Sequence, residues 1–120
     1  MLLENTSNFQ VFMTVMSEQE TRDKKEATLA TLQLIFPKYK IVFTPRSIVL
    51  NNEGNSIMID DNNAHIEGYS NIVAMEKEYV SVVCKKRILT VYGSNLVIET
   101  FSSVELNIRG KIDRLEWSNI

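Results

Sequence analysis

A phrase of five residues occurs twice near the end of this chain, and it restricts the fold more than any other feature. Leu89-Thr90-Val91-Tyr92-Gly93 returns seventeen positions later as Leu106-Asn107-Ile108-Arg109-Gly110. Each copy runs apolar, polar, apolar, polar and ends in glycine. Each then leads into another alternating stretch. Period-2 alternation belongs to strands that bury one face, and glycine at a strand end permits a tight turn. On this reading Gly93 and Gly110 are turn residues between short antiparallel strands.

The pattern extends back to Pro37. Tyr39–Thr44 is a strand candidate that Pro45 restricts to an edge or an end. Ser47–Leu50 and Ser56–Ile59 flank Asn51-Asn52-Glu53-Gly54, which has hairpin chemistry with Gly54 as its turn glycine. Asp60-Asp61-Asn62-Asn63 marks a second turn. Further strands are expected over 64–67, 71–75, 79–84, 88–92, 96–100, 104–108 and 111–117. Before them, Ser17-Glu18-Gln19-Glu20 reads as a capping box for a helix that Pro37 ends near Ile35 or Phe36. The fold class is therefore α+β, mainly β: one N-terminal helix, then an antiparallel β-roll, barrel or small sandwich. The chain divides into an arm and helix over 1–37 and a β domain over 38–120.

Residues 1–16 alternate imperfectly, with Phe9, Val11, Phe12, Met13 and Val15 supplying apolar surface that needs something to pack against, either the chain's own core or a partner. We read these five, together with Trp117, as a candidate interface. Deleting the arm is then expected to abolish assembly without disturbing the fold. For Trp117 capping the core is the favoured reading and an interface anchor the alternative.

Candidate chemistry is sparse. The Asx-rich run 60–63 lacks the alternate ligands, central glycine and distal glutamate of a calcium loop. His65 is the sole histidine and has no cysteine or histidine at a ligand spacing, so it reads as an exposed strand residue and no metal is assigned. Glycines at 54, 68, 93 and 110 are too far apart for a phosphate-binding loop. Neither a nucleophile elbow nor a triad occurs. These absences lead to the expectation of a non-enzyme with no cofactor. Basic and acidic residues number six and seven in the first sixty positions and seven and eight in the second, so neither half has the excess that a nucleic acid would require. Lys85-Lys86-Arg87 is the one basic cluster and reads as a solvated hairpin tip. The lone Cys84 reads as a small buried hydrophobe, and with no signal segment or membrane span the chain is expected to be cytoplasmic.

Residues 66–118 resemble the YabP/YqfC family of small sporulation-associated proteins. The likeness runs through Tyr79-Val80-Ser81-Val82, the stretch Leu89 to Ile98, the stretch Glu105 to Ile112, and the closing Leu115-Glu116-Trp117. Gly93 and Gly110 match the family's two glycines and Trp117 its closing aromatic. Arg87 stands where the family often has glycine, so that turn is expected to differ in shape. The resemblance implies a small β-module of spore envelope formation, without catalytic residues and often paired with membrane proteins. Phe36 to Ser47 lies outside the pattern and is loosely similar to small phage morphogenesis proteins. Function is accordingly expected to be structural: a module that binds a protein partner or itself as a homo-oligomer, with a phage virion or assembly component as the alternative.

Overall fold

The computed structural model describes residues 8–13, 22–44 and 47–119. Within them the elements are β1 (Asn8–Phe12), α1 (Arg22–Ile35), β2 (Lys40–Phe43), β3 (Ser47–Asn52), β4 (Asn55–Asp60), β5 (Asn63–Glu67), β6 (Asn71–Met75), β7 (Tyr79–Cys84), β8 (Arg87–Phe101) and β9 (Glu105–Asn119). All pairings are antiparallel. The sheet runs β2-β3-β4-β5-β9-β8-β7-β6, with β1 added to β9. Its path ends at β2 and β6, so the sheet is open and bends around one core as a roll.

Strands that read as four short segments in the sequence are two long ones. At about 3.3 Å per residue, a straight fifteen-residue strand would reach about 50 Å. The longest dimension of the molecule is 35 Å. β8 and β9 must therefore bend, and three register shifts show where. One residue, Asp113, is extra between the Tyr92–Arg114 and Gly93–Ile112 pairs. Asn95 and Leu96 stand against Gly110 alone, and Glu99 is extra between the next pairs. Each such bulge bends its strand and reverses which side chains face inward. Burial follows: Leu106 and Ile108 face the core, then Ile112, and beyond the bulge Leu115 and Trp117. In β8 the inward set changes from Leu89 and Val91 to Leu96.

The repeated glycines are thus not turn residues. They lie mid-strand on either side of the β8–β9 crossing. A Cβ on Gly93 would stand 1.9 Å from the Lys111 carbonyl oxygen, and one on Gly110 would stand 2.8 Å from that of Asn95. Gly110 also holds a φ of +147°, which L side chains rarely adopt. Gly54 is the turn glycine expected, at φ +84° in a two-residue connection, where a Cβ would meet Lys85 Nζ at an ordinary contact distance of 3.6 Å.

The described part of the arm, residues 8–13, does not project. β1 pairs with the last strand from Asn8–Ser118 to Phe12–Arg114, and Val11 and Met13 are 4% and 2% exposed. Deleting residues 1–16 would remove a strand and two core side chains, which overturns the expectation of an unaffected fold. The helix stops at Ile35 as Pro37 requires, and Leu32 and Phe36 enter the same core. Position 37 therefore marks a change of periodicity and no break in the core. The capping box at 17–20 lies outside the described residues.

Gly93→Ala is expected to lower unfolding free energy by roughly 2–4 kcal/mol, because backbone rather than a flexible side chain blocks the new methyl. Gly54→Asn, at a position Asn tolerates, should cost less than about 1 kcal/mol. Urea denaturation of both variants checks the contrast.

Candidate functional site

Two places gather polar or aromatic groups on this frame. The first is where the end of α1 meets the β7–β8 hairpin. Phe36 packs edge-on against Tyr39 and Trp117, with ring centroids 5.4 and 5.8 Å away. The guanidinium of Arg87 lies 4.7 Å above the Phe36 ring and donates from Nη2 to the Ile35 carbonyl at 3.0 Å. Arg87 therefore serves as a cation on the helix's negative end as well as a π partner. Beneath it the Tyr39 hydroxyl donates to Asn55 Oδ1, and Asn55 Nδ2 donates to the Glu67 carbonyl at 2.8 Å. Burial raises the Cys84 thiol to about 11, while a hydrogen bond with the Asn55 side chain works the other way. Burial, reinforced by Cys84 and opposed by Arg87, raises Tyr39 to about 12. Both groups are neutral at ordinary pH, and a buried thiol held in that form is a poor nucleophile.

At the hairpin tip, Lys85 and Lys86 form a two-residue turn with φ of +54° and +70°. Positive φ at both positions matches the twist of the flanking strands but suits Asn-Gly rather than lysine. The tip reading of the basic cluster fits for these two residues. Arg87 belongs to the strand and is half-buried.

The second place is the outer face where β5 meets β9. Alternation puts His65 and Glu67 on one face, and in-register pairing sets Glu105 opposite Glu67. His65 Nε2 is 2.9 Å from Glu67 Oε2 and 3.7 Å from Glu105 Oε2. Beside them opens a cavity of about 390 Å³, bordered by Asn51, Asn52, Asn55, Ser56, Glu67 and Glu105. Gly68 helps shape it, since a Cβ there would stand 1.7 Å from the Gly54 carbonyl oxygen. The sequence reading missed this group. The His65-x-Glu67 spacing was visible, but Glu105 arrives only through pairing.

Of the six candidate interface residues, Val11, Met13 and Trp117 are enclosed in the chain's own core, Trp117 at 2% exposure. The apolar alternation of the arm has its partner in β9, so these three offer no free surface. Phe9 and Phe12 align with Trp117 and Arg114 through the β1 backbone. Val15 lies outside the described residues. The turn at 60–63 is an Asx turn, with the Asn62 N–H donating to Asp60 Oδ1 at 2.8 Å. The Asp61 and Asn62 carbonyls accept from the Ile112 and Gly110 N–H groups, fastening the turn to β9.

The model of the YabP family matches residues 46–119, more than half of the chain, and the chain belongs to that family. The match begins twenty residues before the stretch recognised from sequence and so includes β3, β4 and β5. No curated protein and no solved structure matches. Among the described residues, no helix is long and apolar enough to cross a membrane.

Alkali should loosen this end of the molecule. Each group binds its proton more tightly folded than unfolded, so the associated stability is complete below the unfolded pKa. It is lost from pH 9 through about 11 for Cys84, and from pH 10 through about 12 for Tyr39. Urea midpoints should fall across that window, and Cys84→Ala should flatten the first part of the decline. Replacing Lys85-Lys86 by Asn-Gly should raise stability by about 1 kcal/mol or more, read from the same titrations, by relieving two left-handed lysines.

Proposed function

We propose that this chain is a small sporulation-related β-module that works in the cytoplasm by contacting a protein partner, without catalysis. Family membership supports the sporulation setting. One observation carries the contact: a rigid apolar tip on the β8–β9 hairpin. Phe101 and Val104 flank the Ser102-Ser103 turn and are each 60% exposed. The turn is well held. Ser102 Oγ accepts from the Val104 and Glu105 N–H groups at 3.3 and 3.1 Å, and the Tyr69 hydroxyl donates to the Ser102 carbonyl.

A large apolar side chain on a preorganised turn loses little freedom on binding, which is what an interface anchor requires. Val97, 58% exposed, lies on the same hairpin. β7 pairs with β8 only as far as Tyr92, so among the described residues the edge of β8 from Val97 to Phe101 has no strand beside it. A partner strand can add there while its side chains meet the tip. The partner is a second copy or another protein, including a membrane protein that presents a strand to the cytoplasm.

Light scattering coupled to size exclusion is the first test. A defined oligomer that dissociates in the Phe101→Ser, Val104→Ser double variant, with circular dichroism unchanged, supports self-association. If the chain is a monomer, a photo-crosslinking amino acid at position 101 should trap one protein in sporulating cells, and the same probe at exposed Glu53 should not. Equal trapping at both positions would refute the tip as the contact.

A further inference from the structure

We propose that His65, Glu67 and Glu105 form a binding site for a divalent first-row transition cation such as Zn²⁺. Their donor atoms all lie within 4.8 Å of one another. Around a tetrahedral ion with bonds of 2.0–2.1 Å, donor atoms stand roughly 3.3 Å apart. The separations of 2.9 and 3.7 Å from His65 Nε2 to the two carboxylates bracket that value. Glutamate side-chain rotation closes the remaining gap.

Charge provides an independent reason. Glu67 and Glu105 are directly opposite in an antiparallel ladder, where like charges destabilise the pair. Among the described residues, no lysine or arginine forms an ion pair with either carboxylate; the basic group between them is His65. One imidazole nitrogen with two carboxylate oxygens is a donor set for a borderline transition cation, whereas calcium calls for six or more oxygens. The donors stand on two paired strands, so little ordering is needed. The adjoining cavity leaves room for water or a fourth ligand. To ligate, neutral His65 moves its proton from Nε2 to Nδ1, which frees the Nε2 lone pair. Glu105 directly follows the apolar tip, and a cation here would tie the tip's base to β5.

Isothermal titration of the tag-free full chain with ZnCl₂ tests this site. The expected result is one ion per chain, bound more tightly than roughly 100 µM. His65→Gln and Glu105→Gln should each weaken binding by more than about tenfold, since ligand loss costs at least as much as loss of a supporting group. Glu53→Gln should leave binding unchanged. Nitrogen-15 NMR of the only histidine should show Zn²⁺ displacing the Nε2 resonance. Without metal, Glu105→Gln should melt no lower than the parent chain, which establishes that it is folded. Binding that survives His65→Gln, or no one-to-one binding in that range, would overturn the proposal.

Discussion

The whole roll depends on a backbone-to-backbone contact between β8 and β9. Gly93 lies against the Lys111 carbonyl, and Gly110 lies against Asn95, with the Leu96 side chain touching both positions. Only hydrogen fits in those gaps. Because the strands come this close while their register slips, each turns its buried face and passes from one side of the roll to the other. The opposite edge of β9 is then shared out: its first residues pair with β5 and its last with β1. A straight strand would present one edge to one neighbour, and the inward faces of Leu106 and Leu115 would not meet around a common core.

This geometry explains why the arm and helix are built in. The last residues of β9 carry Leu115 and Trp117 inward. β1 extends the sheet beside them and adds Val11, while Phe36 from the end of α1 packs on the indole. Arg87 then closes the contact from the neighbouring strand, with its charge over the Phe36 ring and one N–H on the helix end. Glycine at that position would provide neither. Arg87 therefore ties the end of the helix to this end of the roll.

Much of the frame was legible because it is local. Alternation located most strands, Pro37 ended the helix, and Gly54 occupies the hairpin turn its neighbours implied. What escaped is non-local. A glycine that ends a strand and one that lets two strands cross look alike in sequence, since both interrupt alternation and both lead into another apolar run. The arm's apolar residues need cover from the core or a partner, and the strand that provides it lies a hundred residues away in β9, which no local pattern names. His65 looked isolated for the same reason. Its face is set by alternation within β5, whereas Glu105 reaches it through a ladder between strands far apart in the chain.

Several features that work against stability lie on the surface. The core has regular apolar packing, and two hydroxyls buried in it, Ser81 and Thr90, bond to each other at 2.8 Å. Several exceptions sit on the outside. Two lysines hold left-handed backbone at one hairpin tip, Phe101 and Val104 stand in solvent at another, and two glutamates face each other beside it. Each is locally unfavourable and each is supported by a rigid ladder that leaves it nowhere else to go. A chain under no demand except folding would replace them with Asn-Gly, polar residues and an opposite-charge pair at no loss to the core.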